Sequence, residues 1–522
     1  MKYIAILIIF MLLCVGAEAK YSPALDLNGV GKISSMLNGT ALQDAVTVSQ
    51  LTAKKSIGEV TVGFWGNCTY RLDPADADHS DDLNAAFGDA SRNGKSVRMM
   101  IGKYKIHSAR VLIPAGLSVS GSAWPFPAAH TNFFDNSTLG YSKYTVFDVD
   151  YTGSNAIGIE GGASLERVAF NYPAQNGYHA TSWTAYPAAI KILSNYDASD
   201  PGSIKGGGVH LEKIFLRNPY VAINATPLHT ANVYTDIYGG PISRGVYVGD
   251  YSGAVLSGSS EPDHYTRVHW NPVFQGDGIT SSVAREYNYI RDNMIGFDIH
   301  HSDGLQMTNC YVYNAAYGYK FHKVEAGAMI TACGAYSCKV NAFWLTSCYG
   351  MNIVGCQAST GNNSLTSDAS SISVLMDGVN GRCSFNSGTI SSQGKAVYID
   401  TTGADVLGQE CWGNVISGNN IRYNAAASTS QKYAITVNDG TATTISNNVL
   451  NGLAGTYSAG IAVQRAATDT MVTGNTLLAM GSDSLYMDGT TYQCYGNIGQ
   501  DVGAVSIGGA GTHAVNGDNV DV

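Results

Sequence analysis

The sequence predicts an all-β protein whose main body is a right-handed, single-stranded parallel β-helix, a solenoid of coils of about two dozen residues each. Three observations predict this fold. The composition combines 60 Gly and 32 Tyr with only 13% charged residues, which favours strands and tight turns over helices. A cysteine motif and an asparagine motif also recur along the chain at intervals close to the length of one coil.

The cysteine motif occurs in the segments MTNCYVYN, ITACGAYS and IVGCQAST, in which Cys310, Cys333 and Cys356 follow one another at equal intervals. Parallel strands of successive coils lie about 4.7 Å apart, so equivalent residues stack directly on one another. Buried cysteine packs as a small hydrophobic residue. We therefore expect a column of buried thiols that needs no disulfides.

The asparagine motif occurs in SGNNI, SNNVL, TGNTL and YGNIG. Its alignment places Asn420, Asn448, Asn475 and Asn497 in equivalent positions, at intervals that differ from one repeat to the next. A constant motif at variable intervals indicates that loops change length while the turn is kept. Because stacked asparagines hydrogen-bond through their amides, the motif predicts an asparagine ladder from one coil to the next.

The tracts GFDIH, GYKFH and AFWLT share a further alignment. It stacks Phe297 on Tyr319 on Phe343. Side chains alternate between the two faces of a strand, so Asp298 and Lys320 lie on the opposite face from these rings. The tracts therefore predict one sheet of the solenoid.

The region before the solenoid predicts a small N-terminal α/β cap. From residue 81 onward, Leu83, Ala86, Phe87 and Ala90 form the apolar face of an amphipathic helix, and a strand follows around 97–101. An open stack of strands needs such a cover at its end.

Residues 1–19 resemble a cleavable secretory signal, because a lysine precedes an apolar run that ends in small residues. No later stretch is apolar enough to span a bilayer. The predicted boundaries are 1–19 for the signal peptide, 20–56 for an N-terminal segment, 57–110 for the cap, 111–500 for the β-helix and 501–522 for a C-terminal tail.

The net charge of −10 argues against nucleic acid as a partner, because a polyanion requires a cationic binding surface. The sequence contains no P-loop, no His-Glu-x-x-His, no paired Cys-x-x-Cys and no Gly-x-Ser-x-Gly motif. We therefore expect no cofactor, no metal and no stable membrane insertion after the signal is cleaved.

Three stretches resemble known β-helix proteins. ALDLNGVGKISSMLNGTALQDAVTVSQLTAK, from Ala24, resembles an element of phage tail fibres and tailspikes, and the stretch from Asp81 resembles the opening of pectate-lyase-like β-helix proteins. A His-x-Asn-Pro strand followed by an Asp-Gly turn resembles the central region of phage tailspike depolymerases. The residues that match this region are His269, Asn271, Pro272, Asn293, Asp303, Gly304, Gly318 and Tyr319, whereas His301 stands where an arginine is often found.

The resemblance implies a pectin-lyase-like solenoid that binds and depolymerises a bacterial polysaccharide, such as capsule, lipopolysaccharide or exopolysaccharide. It also implies a homotrimer in a virion tail or outside the cell. A signal peptide fits a phage tail poorly, because phage tails assemble in the cytoplasm. Two alternatives therefore stay open: a secreted pectinase-like polysaccharide lyase or hydrolase, and a non-catalytic glycan-binding adhesin.

Glycoside hydrolysis requires two carboxyl groups, about 5–5.5 Å apart for retention and about 6.5–9.5 Å apart for inversion. We predict Glu286 and Asp303 as this pair, because Glu286 precedes Asp303 by somewhat less than one coil and could lie on the neighbouring coil. Asp298 is the reserve. In a simpler interpretation, Asp298 only forms an ion pair with Lys320. Likewise, Asp303 shapes the turn before Gly304, and Glu286 is a solvated charge.

Aromatic and polar side chains near these carboxylates are predicted to contact the glycan. Trp270 and Tyr289 offer flat apolar faces with polar edges, which suit sugar rings unless they point into the core. The predicted polar contacts are His269, Asn271, Arg291 and His301. The basic members of this set would also serve a lyase, which needs a base and a group that neutralises a uronate carboxylate.

Overall fold

The computed structural model describes residues 58–64, 68–123, 143–175, 183–193, 207–226, 231–249, 263–272, 285–325, 327–361, 371–378, 381–400, 411–423, 432–452, 458–480, 484–500, 512–515 and 520–521. Apart from residue 58, these belong to one compact unit, Glu59–Val522. The predicted signal peptide at 1–19 and the segment at 20–56 lie outside the described residues. Among the residues described, no helix combines the length and the apolar character needed to cross a bilayer.

The described strands form two sheets, one of 28 strands and one of 13, and their pairings are parallel. Each coil adds one strand to the smaller sheet and either one long or two short strands to the larger sheet. The fold is therefore a parallel β-helix, and the predicted fold class is confirmed. We call the two sides formed by the larger sheet flank 1 and flank 2, in chain order, and the smaller sheet flank 3.

The N-terminal elements are β1 (Glu59–Gly63), β2 (Tyr70–Arg71), α1 (Ser80–Arg92), β3 (Ser96–Met99) and β4 (Gly102–Ile106). Flank 3 consists of β5 (Val111–Ile113), β8 (Ile157–Ile159), β10 (Ile190–Ile192), β12 (Val221–Asn224), β14 (Arg244–Val248), β16 (Ile295–His300), β19 (Tyr317–His322), β22 (Asn341–Thr346), β25 (Ile372–Asp377), β28 (Lys395–Asp400), β31 (Lys432–Thr441), β34 (Ser458–Thr468) and β37 (Leu485–Met487).

In the first coils, the larger sheet contains β6 (Ser118–Ser120), β7 (Thr145–Val149) and the long strands β9 (Ser164–Asn171), β11 (His210–Arg217), β13 (Val233–Gly240) and β15 (His264–Trp270). Flank 1 then continues with β17 (Gln306–Thr308), β20 (Met329–Thr331), β23 (Asn352–Val354), β26 (Ser384–Asn386), β29 (Val415–Ser417), β32 (Thr444–Ser446), β35 (Thr470–Thr473), β38 (Thr491–Tyr495) and β40 (Thr512–Val515). Flank 2 continues with β18 (Tyr311–Tyr313), β21 (Gly334–Cys338), β24 (Gln357–Thr360), β27 (Thr389–Ser392), β30 (Asn420–Tyr423), β33 (Val449–Asn451), β36 (Thr476–Leu478), β39 (Ile498–Gln500) and β41 (Val520–Asp521). A short 3-10 helix (Pro173–Gln175) and the helix α2 (Arg285–Asn293) lie between strands.

The cap helix α1 covers part of the core with one apolar face. Leu83, Ala86, Phe87 and Ala90 are completely buried and belong to the same hydrophobic cluster as the inward side chains of the coils. The helix packs against β3 and β5. The predicted amphipathic helix is therefore confirmed.

The inward side chains of flank 3 form a column of stacked rings. The ring centroids of Phe297 and Tyr319 are 5.0 Å apart with planes 2° from parallel. Those of Tyr319 and Phe343 are 4.6 Å apart at 8°. The strand register confirms the predicted alignment, and it places Asp298 beside Lys320 on the outer face.

Each coil turns from flank 1 to flank 2 at one residue with a positive φ. From β15 onward these residues are Arg267, Asn309, Ala332, Gly355, Ser387, Gly418, Asn447, Gly474 and Gly496. The residue after this bend points into the core, so its buried backbone N–H must find an acceptor.

In the middle coils, the acceptor at this bend is a cysteine sulfur. The N–H of Cys310 donates to Sγ of Cys333 over 3.4 Å, and the N–H of Cys333 donates to Sγ of Cys356 over 3.3 Å. The three side chains are buried, and the nine cysteines within the described ranges are free thiols. The predicted cysteine column without disulfides is therefore confirmed.

The asparagine ladder occupies the same bend position in later coils. Both the backbone N–H and Nδ2 of Asn419 donate to Oδ1 of Asn448 over 3.0 Å, and the pattern continues through Asn475 to Asn497. The first member is thus Asn419, and the predicted member Asn420 is wrong by one residue. The side chain of Asn420 is exposed, because successive side chains of a strand alternate between faces.

Gly388 stands where the cysteine column meets the asparagine ladder. A Cβ atom there would lie 2.7 Å from the carbonyl oxygen of Cys356 and 3.2 Å from Oδ1 of Asn419. The N–H of Gly388 donates to that same Oδ1 over 2.8 Å. The change from sulfur to amide acceptor therefore occurs at a residue without a side chain.

We predict that Asn448→Ala lowers the free energy of unfolding by about 3 kcal/mol. The substitution removes the acceptor of the Asn419 N–H and of one of the two Nδ2 hydrogens of Asn419, and it removes a donor to the carbonyl of Ile416; each unsatisfied buried group costs about 1–3 kcal/mol. The control Asn420→Ala, on the exposed side of the same bend, changes stability by less than about 0.5 kcal/mol. Denaturant unfolding measures both, and equal losses would show that the ladder assignment is wrong.

Candidate active site

Asp298 is the centre of an ion-pair cluster on the outer face of flank 3. Its carboxylate accepts from Nε of Arg244 at 2.9 Å and from Nε2 of His300 at 3.0 Å, and Nζ of Lys320 lies 4.0 Å away. The residue is only 1% exposed. Burial alone would raise the pKa of Asp298, but the hydrogen bond and electrostatic attraction of His300, together with the charges of Lys320 and Arg244, outweigh it and lower the pKa. Asp298 therefore stays ionised and is not suited to donate a proton, which favours its interpretation as an ion-pair residue.

His269 lies on flank 2 between two aromatic rings. Its ring centroid is 5.0 Å from that of Tyr238 and 6.0 Å from that of Tyr311. Nε2 is 3.0 Å from the carbonyl oxygen of Asn309. Burial lowers the pKa of His269 below its ordinary value, so the half-buried ring is neutral at pH 7.

Two predicted glycan contacts are not available at the surface. Trp270 is 0% exposed and packs in the core near Phe297, with ring centroids 6.4 Å apart. Arg291, on α2, is 6% exposed. Inward-pointing positions on the strand and the helix bury these two side chains, so their burial does not support the predicted glycan contacts, which stay predictions.

The remaining predicted contacts are accessible but lie on different sides of the coil. Tyr289, on α2, is partly exposed, and its ring centroid is 5.8 Å from that of Trp183. Asn271 follows β15 on flank 2 and is half-buried. His301 is half-buried at the bend after β16, where φ is +51°. His269 and Asn271 therefore lie two residues apart on flank 2, whereas His301 lies at the end of flank 3 and Tyr289 on α2.

Glu286 lies in α2 and not on a strand of the coil that precedes Asp303. A spacing of about one coil brings two carboxylates together only when both lie on consecutive strands, and Glu286 lies in a helix. The side chain of Glu286 is outside the described part of the structure. Its pairing with Asp303 stays a prediction.

The strand register instead places a different carboxylate beside Asp303. Asp303 and Glu325 form a parallel bridge on consecutive coils, at the corner where flank 3 turns into flank 1. The N–H of Gly304 donates to the carbonyl of Glu325 over 3.2 Å, and the N–H of Glu325 donates to the carbonyl of Ser302 over 2.9 Å. Asp303 is half-buried and Glu325 is exposed. The corner therefore brings two carboxylate residues together at the backbone spacing of one coil.

The sequence contained the signal for this pair. The alignment of consecutive coils stacks His300 on His322, and the same alignment, continued to the Asp-Gly turn, joins Asp303 to Glu325. The prediction stopped at the end of the strand-like tract and missed Glu325.

A depression of about 560 Å³ lies next to these carboxylates on flank 1. Its lining consists of His264, Tyr265, Thr266, Gly304, Gln306, Thr308 and Gly327. Two of the lining residues, Gly304 and Gly327, belong to the corner itself, and Gly304 directly follows Asp303. The depression therefore offers hydrogen-bonding side chains beside the carboxylate pair.

No group of three or more His, Cys, Asp or Glu residues within the described ranges is arranged to hold a metal ion.

No protein-family model and no curated protein matches the chain. Solved structures that are similar include the A-module of the mannuronan C-5 epimerase AlgE6 of Azotobacter vinelandii, at 11% identity and a TM-score of 0.46, covering 81% of this chain and 95% of that one. Tailspike protein 3 of bacteriophage CBA120 has 11% identity and a TM-score of 0.48, covering 92% of this chain and 66% of that one. The catalytic domain of a GH87 alpha-1,3-glucanase in complex with nigerose has 11% identity and a TM-score of 0.36, covering 88% and 68%.

Asp263 is a buried residue that directly precedes His264, which lines the depression. It is 3% exposed, and its carboxyl accepts from the backbone N–H and Nδ2 of Asn232 and from the hydroxyl of Tyr265. Burial raises the pKa of Asp263 to about 7, because these hydrogen bonds offset only part of the desolvation of the charged form. The folded chain therefore keeps a proton on Asp263 that the unfolded chain releases near pH 4.

We predict that Asp263→Asn becomes stabilising as the pH rises. Between about pH 4 and pH 7 the folded state binds more protons than the unfolded state, so the Asp263 contribution to stability falls across this window, by up to about 4 kcal/mol. An asparagine keeps the acceptor oxygen and never ionises. Thermal unfolding should show little difference between variant and native chain at pH 4 and a higher midpoint for the variant at pH 8. A difference that is constant with pH would contradict the assignment.

Proposed function

We propose that this chain binds a bacterial surface polysaccharide along the corner between flank 3 and flank 1 and cleaves it by glycoside hydrolysis. The observation that supports the proposal is the pairing of Asp303 with Glu325 on consecutive coils. The Asp303-Gly304 turn at this corner is also part of the sequence resemblance to tailspike depolymerases.

The spacing of the two carboxylates fits the chemistry. Paired residues on parallel strands lie about 4.8 Å apart at the backbone. Two carboxyl groups that both project outward from Asp303 and Glu325 can therefore reach the separation of about 5–5.5 Å used by retaining enzymes. One of them would act as general acid on the leaving oxygen, and the other would attack the sugar as an ionised nucleophile.

The depression beside the pair fits an uncharged part of the same substrate. His264, Thr266, Gln306 and Thr308 form two polar pairs on consecutive coils, since His264 pairs with Gln306 and Thr266 pairs with Thr308 in the register. Hydroxyl, amide and imidazole groups suit the hydroxyls of a sugar. A stiff corner with one such row per coil suits an extended polymer.

Products distinguish this hydrolase from the two alternatives. A hydrolase releases new reducing ends without an unsaturated uronate, whereas a lyase produces the absorbance of that unsaturated product. A folded sample that binds glycans and cleaves none would be an adhesin.

We predict that Asp303→Asn and Glu325→Gln each lower turnover of the polysaccharide by about 10² to 10⁴, because each removes a general acid–base or nucleophilic carboxylate and keeps its shape. Both side chains are at least partly solvent-accessible, so the thermal midpoint should hardly change. Asp469→Asn is the matched control, since Asp469 is an exposed carboxylate in a later coil. Reducing-end release measures the rates.

Glu286→Gln decides between the two pairs. The proposal expects near-native turnover from this variant. If Glu286→Gln is inactive while Glu325→Gln turns over normally, then Glu286 and not Glu325 is the partner of Asp303. Full activity in Asp303→Asn would remove the corner from the mechanism altogether.

The proposal includes assembly as a homotrimer that is exported from the cell or built into a virion tail, as the resemblance implies. Light scattering on the purified chain should give three times the mass of one chain. A monomer at micromolar concentration would contradict the trimer without affecting the proposed chemistry.

A further inference from the structure

We propose that the corner carries a second binding subsite, formed by Tyr349, Trp412 and Arg382, which accepts an acidic sugar residue of the glycan. The inference rests on the proposed function and deepens it by assigning the chemical class of the substrate.

The subsite begins with two aromatic rings that lean together over a glycine. Tyr349 pairs with Gly381, and Gly381 pairs with Trp412, on consecutive coils of the corner. Two coils span about 9.6 Å, yet the ring centroids of Tyr349 and Trp412 are only 6.0 Å apart. A Cβ atom on Gly381 would lie 2.7 Å from Cδ2 of Tyr349 and 3.0 Å from Nε1 of Trp412. The missing side chain therefore allows the rings to meet.

Both rings are open to solvent. Tyr349 is 40% exposed and Trp412 is 38% exposed, whereas the large aromatic residues on the inner faces of the coils are fully buried. Rings that point outward from the corner are not stabilised by packing in the core of the solenoid. Their apolar faces and polar edges suit the C–H face of a pyranose ring.

Arg382 adds a positive charge to the rings. Its Cζ atom lies 4.6 Å from the ring centroid of Trp412 and 5.9 Å from that of Tyr349. The residue is exposed, with a φ of +53°, and its backbone N–H donates to the carbonyl of Trp412 over 2.8 Å. Within the described ranges, no Asp or Glu forms an ion pair with this guanidinium.

These three side chains together select an anionic sugar. Stacked guanidinium groups bind carboxylates through two parallel hydrogen bonds. A neutral sugar would use the rings and leave the arginine without a counter-charge. A sugar that carries a carboxylate can stack on the rings and pair with the arginine, so we assign the subsite to an acidic residue of the glycan.

The position of the subsite connects it to the carboxylate pair. The N–H of Tyr349 donates to the carbonyl of Val324 over 2.9 Å, which places Tyr349 on the coil directly after Glu325. Trp412 lies two coils further along, about 14 Å from Glu325 along the axis. One extended chain can therefore occupy the carboxylate pair and the aromatic subsite together.

Binding to matched acidic and neutral polymers tests the assignment. The probes are alginate, polygalacturonate, xanthan and polysialic acid, each in native and in carboxyl-reduced form, with affinity gel electrophoresis of the full chain. We expect binding to at least one native polymer and a loss of tenfold or more on carboxyl reduction. Arg382→Gln should lower affinity for the native polymer by a similar factor and should abolish its dependence on salt.

Two further variants separate the rings from overall folding. Trp412→Ala should weaken binding tenfold or more, and Gly381→Ala should weaken it while keeping all three side chains. The control Tyr495→Ala removes an aromatic ring that is also 38% exposed but lies near the end of the solenoid, and it should bind normally. Circular dichroism checks that each variant is folded.

The inference is wrong if no native acidic polymer is bound, if carboxyl reduction leaves affinity unchanged, or if Arg382→Gln binds as tightly as the native chain. Failure here differs from failure of the proposed function. Cleavage of a neutral glycan that depends on Asp303 but not on Arg382 would keep the hydrolase and remove the acidic subsite. Normal cleavage by Asp303→Asn together with lost binding by Arg382→Gln would keep the acidic subsite and remove the proposed hydrolase site.

Discussion

The hydrogen bond between a bend N–H and the side chain of the next coil is the constraint on which this structure depends. Parallel strands already fix the distance between coils, but strand pairing alone permits a shift along the strand that would turn every side chain to the other face. Cys333 and Cys356 supply sulfur acceptors in the middle coils, and Asn448 and Asn475 supply amide oxygens later. Since each acceptor reaches one bend residue only, the register of the coils is fixed.

A fixed register brings side chains of distant segments together at the corner. The side chains of Asp303, Glu325, Tyr349 and Trp412 come from segments far apart in the sequence, yet strand pairing holds them in one row. The row changes character along its length, from carboxylates to aromatic rings, while the backbone beneath it repeats. In a solenoid, the outward residue at one position can therefore differ from coil to coil without a change in the backbone. A polymer that lies along such a column would contact these different side chains one after another.

The sequence predicted the inward columns well and the outward ones poorly. Cys310 and Phe297 are each followed by like residues about one coil apart, because an enclosed core accepts few side-chain shapes. Outward positions have no such restriction, so Glu325 follows Asp303 without any similarity of motif. The burial of Trp270 could not be predicted, since an aromatic residue in a polar stretch resembles a sugar platform until its direction along the strand is known. The helix that holds Glu286 was not predicted either, because its polar sequence has no apolar periodicity to indicate a helix.

The anomalous scattering of sulfur in a crystal of the full chain measures the register most directly. In-register stacking predicts that the Sγ atoms of Cys310, Cys333 and Cys356 lie in one straight column, with neighbours about 4.8 Å apart. Sulfur atoms displaced sideways by one strand position, or joined in pairs by disulfides, would contradict the account and with it the row of side chains along the corner.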